Sequence, residues 1–308
     1  MIPIDLIGSV CNYLDNNNYY LINKNIYNYI QIIERDSFWK EKYDSFFIHM
    51  NKEFLILVGN YNWKFEYLRV IKLKYWPNIN NLENLDSSYN YNRRAVFPKE
   101  IGNLNNLQVL DFSNNHISII PEEIGNLNNL RVLNLSNNRI LTIPKKIGNL
   151  HNLQYLDFIN NKISTIPKEI GNLNNLRELY LSDNRITVIP KEIGNLNNLK
   201  GLYLIFNKII EIPKEIGSLN NLEYMCLSSN LITEIPKEIN NLNKLIHLNL
   251  GNNKITKIPK EISNLNNLKE LRLINNRITE ISNEIQKIIS NLNLQYFDLI
   301  NDKYCKYI

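Results

Sequence analysis

The side chains best suited to metal binding are few in this chain, and they are scattered. Its histidines are His49, His116, His151 and His247. None of the four stands near a cysteine, aspartate or glutamate at the spacing of metal ligands. We therefore expect no metal site.

The sequence also lacks the motifs that are typical of covalent catalysis and of cofactor binding. The sequence has no G-x-x-x-x-G-K-[ST] phosphate loop, no G-x-S-x-G elbow and no dinucleotide fingerprint. Cys226 falls on an expected strand and Cys305 in the tail KYCKYI, and neither position suggests a nucleophile. With Cys11 the cysteines are odd in number and far apart, which favours a reducing compartment over a disulfide framework. We expect a protein that is not an enzyme and that uses no cofactor.

Charge and hydropathy exclude two further classes of function. Lysine and arginine number 35 against 30 aspartates and glutamates, a net charge of +5, which falls short of a dedicated nucleic-acid binder. The N-terminus lacks the basic segment of a signal peptide, and no apolar run approaches the roughly 18 residues of a membrane span. We expect a cytoplasmic monomer that binds neither nucleic acid nor membrane. The abundance of asparagine and the single alanine, Ala95, are interpreted as a bias toward AT-rich codons.

A 23-residue repeat dominates the rest of the chain. Its first leucines are Leu107, Leu130, Leu153, Leu176, Leu199, Leu222, Leu245 and Leu268. Each copy reads L-x-x-L-x-[LF]-x-x-N-x-I, and most continue to an Ile-Pro pair, as in LRELYLSDNRITVIPKEIGNLNN. Over residues 107–290 this pattern resembles the intracellular form of the leucine-rich repeat. The resemblance implies an α/β solenoid, a leucine-rich-repeat horseshoe with a parallel concave β-sheet.

The alternation of residues within each repeat predicts the same strands and turns independently of the resemblance. Alternation around L-x-L has the period of a strand, so Leu179 and Leu181 should point into the core. Their neighbours Glu178, Tyr180 and Ser182 should face outward. We expect the repeated asparagine, where the chain leaves each strand, to satisfy buried backbone groups in a continuous ladder. The repeated proline is suited to the first position of a short helical turn.

The regular repeats are flanked by degenerate copies. One begins at Leu82, and the last, LQYFDLIND, starts late at Leu294. Atypical end copies are typical of solenoids because the two ends must cover exposed core. We therefore assign residues 82–308 to the solenoid, with a degenerate C-terminal repeat at 291–308.

Upstream of the repeats, apolar residues follow helical spacing. The order of IPIDLIGSVCNYLD and of the later FWKEKY resembles an F-box over about residues 2–46. That resemblance implies a small N-terminal helical domain at 1–47, which binds the Skp-type adaptor of a cullin-RING ubiquitin ligase. By position, adaptor binding would carry over to Ile2, Pro3, Leu6, Ile7, Val10 and Leu14.

Residues 48–81 are assigned to a helical linker or N-terminal cap. Their segment WKFEYLRV, at Trp63–Val70, resembles an extension that follows F-boxes in large DNA viruses with AT-rich genomes. This implies an F-box/leucine-rich-repeat protein that acts in the host cytoplasm. An alternative stays open, in which the N-terminal helices only cap the solenoid. The chain would then be a signalling scaffold that binds a small GTPase or another partner.

The outward positions of the strands vary while the framework repeats, so we expect function on the concave sheet. Aromatic side chains gather in its middle and favour a protein-binding surface. The residues assigned to target binding are Tyr155, Tyr180, Tyr203, Phe206 and Tyr224. The resulting hypothesis is a ligase adaptor whose concave face captures a target protein. The alternative is that AT-rich coding inflates tyrosine and that these rings merely stack on one another.

Overall fold

The described residues belong to the second of two compact units. A computed structural model describes residues 83–86, 97, 99–279, 283–292, 294–298 and 306–307. The two units are Met1–Phe54 and Leu55–Ile308. Outside the described residues lie those assigned to adaptor binding, namely Ile2, Pro3, Leu6, Ile7, Val10 and Leu14.

Eleven short strands form one sheet within the described residues. They are β1 (Asn84–Asp86), β2 (Val109–Asp111), β3 (Val132–Asn134), β4 (Tyr155–Asp157), β5 (Glu178–Tyr180), β6 (Gly201–Tyr203), β7 (Tyr224–Cys226), β8 (His247–Asn249), β9 (Glu270–Arg272), β10 (Tyr296–Asp298) and β11 (Lys306–Tyr307). The strands are ordered as in the chain, and β1 to β10 are all parallel. Only β11 is antiparallel to its neighbour. The parallel sheet of a repeat solenoid is thus confirmed, including the degenerate copies that supply β1 and β10.

Short helices connect successive strands. The 3-10 helices are η1 (Lys99–Asn103), η2 (Glu122–Asn126), η3 (Lys145–Asn149), η4 (Lys168–Asn172), η5 (Lys191–Asn195), η6 (Lys214–Ser218), η7 (Lys237–Asn241) and η8 (Lys260–Asn264). The last connection before β10 is an α-helix, α1 (Asn283–Asn291). The repeated proline lies one position earlier than expected, before the first residue of the helix. Pro190 is the N-cap of η5, with φ −65° and ψ 144°. Its carbonyl accepts a hydrogen bond from the Ile193 N–H at 3.0 Å. Its fixed φ suits this extended residue as well as a helical one.

The leucines and isoleucines of each repeat stack into one continuous core. In the repeat of β5, Leu179, Leu181 and Ile186 are all fully buried. Each such side chain contributes about 1.5–3 kcal/mol by leaving water. Ser182 was expected to face outward, but it is also buried. Its hydroxyl accepts the backbone N–H of Ile205 at 3.1 Å, so it serves as a link between neighbouring strands.

The repeated asparagine forms the expected ladder. The Asn184 Nδ2 group lies 2.9 Å from the Phe158 carbonyl of the preceding repeat and 3.2 Å from the carbonyls of Leu181 and Ser182. Its Oδ1 accepts the Ile163 N–H of the preceding repeat at 2.9 Å. The same pattern recurs in the regular copies from Asn138 to Asn276, for example at Asn207. The ladder prediction is confirmed, and each rung ties two adjacent repeats together.

A close backbone approach explains the glycine in most of the 3-10 helices. A Cβ atom at Gly194, in η5, would lie 2.5 Å from the Glu215 carbonyl oxygen of the next repeat. Real Cβ atoms do not approach a carbonyl oxygen so closely, so a larger residue at Gly194 would require a local shift of the neighbouring backbone. Asn240 and Ser263 take the equivalent position in η7 and η8, so the repeat tolerates that shift.

Replacing Asn184 by alanine should destabilise the chain by about 1–3 kcal/mol, because a buried N–H and three carbonyls lose their partner. Lys191, exposed at the start of η5, provides the matched control, and Lys191→Ala should cost no more than about 0.5 kcal/mol. Urea unfolding followed by circular dichroism measures both. Equal unfolding midpoints for the two variants would contradict the structural role of the ladder.

A concave sheet face as candidate protein-binding site

The in-register strands align the outward side chains in rows. The first row contains the first residue of each strand, so Glu178, Gly201 and Tyr224 are neighbours on β5, β6 and β7. The second row contains the last residue of each strand, so Tyr180 and Tyr203 are neighbours on β5 and β6. Parallel strands lie about 4.8 Å apart, so adjacent members of a row are within contact distance.

Three tyrosines form a stack across β4, β5 and β6. The ring centroids of Tyr155 and Tyr180 are 5.1 Å apart, and those of Tyr180 and Tyr203 are 4.5 Å apart with the planes only 2° from parallel. All three rings are half-buried. Burial raises the pKa of each phenol above its usual range, so the hydroxyls stay protonated and act as donors. Stacking thus holds the rings together and leaves part of each one accessible.

The tyrosine hydroxyls are engaged with carboxylates of the same face. The Tyr155 hydroxyl donates to Asp157 Oδ2 at 3.2 Å, and the Tyr180 hydroxyl contacts the Glu178 carboxylate. Burial is the main cause that raises the pKa of both carboxyl groups. Tyr155 and Tyr180 therefore have their polar ends fixed by internal partners. Because the rings cover one another, the ring edges and the face of Tyr203 that does not contact Tyr180 are the parts available to a ligand.

Glu178 is the least satisfied acid of this face. Its Oε2 atom is shielded from solvent and has no hydrogen-bond partner. The carboxylate leans over Gly201, and a Cβ atom there would collide with it and with the Tyr203 ring. A buried oxygen without a donor is costly, and such a group calls for an explanation.

Phe206 departs most clearly from the repeat. It follows β6 in a left-handed conformation, with φ 54°, and its side chain is 59% exposed. The equivalent residues of the other regular repeats are small and polar, namely Asn114, Asn137, Asn160, Asp183, Ser229, Asn252 and Asn275. A bulky residue in this region is strained, and strained residues that persist are concentrated at functional sites.

A second cluster lies farther along the sheet. His247 Nδ1 is 2.6 Å from Glu270 Oε2, and the Arg272 guanidinium lies 3.7 Å from the same oxygen. The guanidinium carbon also sits 4.6 Å from the centroid of the Tyr296 ring. The carboxylate and the aromatic ring thus hold the guanidinium, although the buried Arg272 Nε atom has no hydrogen-bond partner.

The structure brings the residues assigned to target binding onto one face, but in different settings. Tyr155, Tyr180 and Tyr203 form the stack, and stacking agrees both with target binding and with the alternative that the rings only contact one another. Tyr224 belongs to the first row; it is 40% exposed, and its ring is 6.5 Å from that of His247. Phe206 lies at the end of the strand, beyond the stack.

Cys226 is poorly suited to act as a nucleophile. Cys226 is buried, and burial raises the pKa of its thiol to about 11, so the reactive thiolate is absent at neutral pH. In the part of the chain that the structure describes, no three His, Cys, Asp or Glu side chains are grouped closely enough to hold a metal ion.

Glu178→Gln should raise the melting temperature at pH 7 by about 1–2 °C, because it removes a carboxylate that the folded chain disfavours. The raised pKa means that the folded chain holds this proton more tightly than the unfolded chain. Wild type therefore loses stability as the pH rises through the unfolded pKa, and the gain should vanish below about pH 4. Thermal melts of both proteins across this pH range measure the effect.

Asp111→Asn is the contrasting control. The Asp111 carboxylate accepts hydrogen bonds from the Ser113 N–H and from Asn134 Nδ2, so its removal should not stabilise the chain. A Glu178→Gln variant that melts below wild type at pH 7 would contradict the assignment of Glu178 as an unsatisfied acid.

Family models match the repeats directly. The model described as a leucine-rich repeat region matches residues 121–208 and 190–303, and a second leucine-rich repeat model matches residues 80–140. No match to a curated protein sequence was found. Among the helices of the described residues, none combines the length and apolar character that a bilayer crossing requires.

Solved structures share the fold. A leucine-rich-repeat protein of Leptospira interrogans is 36% identical with a TM-score of 0.66, over 79% of this chain and 64% of that one. The Arabidopsis receptor kinase HAESA, in complex with the peptide hormone IDA and the co-receptor SERK1, is 30% identical with a TM-score of 0.63, over 71% and 38%. The plant receptor RGFR1, in complex with RGF2, is 32% identical with a TM-score of 0.59, over 75% and 41%. The chain thus spans less than two thirds of each of these structures. By its repeats, its sheet and these matches, the chain belongs to the leucine-rich repeat family.

Proposed function

We propose that this chain is a non-enzymatic adaptor, the substrate-recognition subunit of a Skp-cullin-F-box ubiquitin ligase. Its N-terminal helices bind the Skp-type adaptor, and its concave sheet binds the protein to be ubiquitinated. Joining the two surfaces in one chain raises the effective concentration of the target near the ligase. Such ligases act in the cytoplasm, and a buried free thiol at Cys226 is compatible with that reducing compartment.

The observation that carries the target-binding half is the aromatic surface of β4 to β7. Leucine-rich repeat proteins are generally protein-interaction modules, and two of the similar plant receptors are seen with peptide hormones. Half-buried tyrosines and an exposed phenylalanine are the residue types that dominate binding energy at protein interfaces. A stack that is already ordered also loses little entropy when a partner binds.

The ligase half rests on the resemblance of residues 2–46 to an F-box. The rival function is a signalling scaffold that binds a small GTPase or another partner with the same concave face. In that case the N-terminal helices are only a cap. The two functions make opposite predictions for a substitution in the first expected helix.

Leu6→Asp combined with Ile7→Asp should abolish recovery of Skp and cullin by the tagged full chain, because it places two charges on the apolar adaptor-binding face. The repeats should keep their circular dichroism and protease resistance, since each repeat is stabilised by its neighbours. Asn16→Asp combined with Asn17→Asp adds the same charge in the expected turn and should leave recovery unchanged. Unfolding of the repeats together with loss of Skp would instead favour a cap.

Tyr180→Ala combined with Tyr203→Ala should remove the target from the proteins recovered with the chain while Skp recovery persists. A hot-spot aromatic contributes roughly 2 kcal/mol to affinity, so the pair should weaken binding at least a hundredfold. The rings are half-buried, so thermal melts must accompany the assay. Asp111→Ala, on β2, should recover the target as wild type does. Unchanged recovery by the tyrosine variant would show that recognition uses another face.

A further inference from the structure

We infer that the edge of the sheet where the chain leaves each strand is a second protein-binding surface, and that it binds an extended acidic segment with one apolar side chain. This edge lies outside the concave face, so the inference goes beyond the proposed target site. It is carried by a row of cations without partners, by the neutral polar residues that flank the row and by an apolar break within it.

A cation follows the buried asparagine in nearly every repeat. From the second regular repeat onward this position holds Arg139, Lys162, Arg185, Lys208, Lys254 and Arg277, which we call the cation row. The Lys162 N–H donates to the Ile140 carbonyl at 2.9 Å, and Ile140 directly follows Arg139. The same backbone bond recurs in every later repeat. Equivalent positions in successive repeats are therefore about 4.8 Å apart, as in the sheet itself.

The charges of the cation row are not neutralised by the chain. Within the described residues, none of the six side chains forms an ion pair or a side-chain hydrogen bond. Five of them are exposed, and Lys254 is partly exposed. The eight 3-10 helices differ, because they carry as many lysines as glutamates. Adjacent like charges repel one another, so an anionic partner is complementary to this edge.

The residues that flank the cation row are polar and nearly all uncharged. Burial alternates at this edge, so the residues two positions before and two positions after each cation also face solvent. Asparagine is the commonest residue before the cation, and threonine is the commonest after it. Asp183 is the one charged member of these two columns, and Glu211, Glu234 and Lys257 lie one position farther along the chain. Amide and hydroxyl groups can add hydrogen bonds to a carboxylate that the cations attract.

Leu231 interrupts the cation row, and a second apolar residue lies beside it. The Leu231 N–H donates to the Ile209 carbonyl at 2.8 Å, which places Leu231 next to Ile210 of the preceding repeat. Leu231 is 36% exposed and Ile210 is 55% exposed. The neighbouring repeats hold lysine in place of Leu231 and threonine in place of Ile210. Two departures from the repeat thus meet and form an apolar site within the row.

An extended protein segment matches this arrangement. From Arg139 to Arg277 the row spans six repeat spacings, or about 29 Å, which about nine residues of extended chain cover. Acidic side chains of the segment would lie along the cations, and an aliphatic side chain would pack on Ile210 and Leu231. A nucleic acid would satisfy the cations but would leave this aliphatic pair without an aliphatic partner. Leucine-rich repeat proteins are generally protein-interaction modules, which agrees with a protein segment.

The test uses the full chain and fluorescein-labelled ten-residue peptides in a Gly-Ser background. One peptide carries four glutamates and a central leucine, and its match carries glutamine in place of each glutamate. Glutamine keeps the size of glutamate without its charge. Fluorescence anisotropy should show the glutamate peptide binding at least tenfold more tightly than its match, with affinity falling as salt rises. Equal affinities, or no glutamate peptide bound up to about 1 mM, would overturn the inference.

Charge reversal in two repeats locates the peptide. Lys162→Glu combined with Arg185→Glu should weaken binding of the glutamate peptide at least tenfold at physiological ionic strength. Lys168→Glu combined with Lys191→Glu makes the same charge change on η4 and η5 of the same repeats, and it should weaken binding by no more than about twofold. All four residues are exposed, so both variants should melt as wild type does. An equal loss in the two variants would show only a general attraction to a cationic chain and would overturn the inference.

Leu231→Lys combined with Ile210→Thr tests the apolar site, and both substitutions introduce residues of neighbouring repeats. Wild type should bind the glutamate peptide at least fivefold more tightly than the same peptide with serine in place of leucine. The variant should bind the two peptides equally. A wild type that does not distinguish leucine from serine would overturn the apolar part of the inference.

Two further probes separate the classes of partner. A ten-nucleotide single-stranded DNA and vesicles that contain phosphatidylserine should both bind more weakly than the glutamate peptide. Tighter binding of either probe would overturn the inference in favour of a nucleic-acid or membrane surface. The tyrosine double variant of the concave face should bind the glutamate peptide as wild type does, so failure of the proposed target site and failure of this inference are distinguishable.

Discussion

The buried asparagine of each repeat is the interaction on which the rest of this solenoid depends. Its one amide group serves carbonyls of two successive repeats and accepts an N–H of the preceding repeat, as at Asn207. No apolar side chain can do this, and unsatisfied backbone groups at a turn into the core would be costly. Because each rung joins residues 26 and 21 positions apart, the repeat length and the strand register are fixed together. The outward rows of the concave face follow from that register.

Asparagine has further structural roles, which corrects its interpretation as codon bias alone. Along one edge, Asn175 Nδ2 donates to the His151 carbonyl at 2.8 Å, and Asn198 donates to the Asn174 carbonyl at 2.8 Å. Along the end of the strands, Asn160 donates to Asn137 Oδ1 at 2.8 Å. These exposed hydrogen bonds join neighbouring repeats as the buried ladder does, but they contribute less to stability because water can replace them. The abundant asparagines thus occupy positions where their short amide side chains can form hydrogen bonds between neighbouring repeats.

The fold could be predicted from the sequence because the same pattern of apolar, asparagine and proline residues recurs in each repeat. The strands, the Leu179 and Leu181 core positions and the asparagine ladder all follow from alternation and spacing. Ser182 could not be placed, because its hydroxyl is satisfied by the next repeat and not by its own. The sequence indicated the tyrosine stack but not its consequences: the unpartnered Glu178 oxygen depends on how that side chain leans over Gly201. The left-handed backbone at Phe206 was visible only as a break in a column of small polar residues.

At such breaks in the repeat, a residue that is unfavourable for folding can be tolerated and can serve a function. A regular copy has little freedom, because each position serves contacts with both neighbouring repeats. Left-handed backbone at Phe206 and a buried Glu178 oxygen without a hydrogen-bond partner each oppose folding, yet the repeats on either side enforce the same turn and the same strand. The frame can therefore hold one strained, incompletely satisfied surface without losing its register. A partner that covers Phe206 would remove its exposed ring from water, so a residue that opposes folding can contribute to binding.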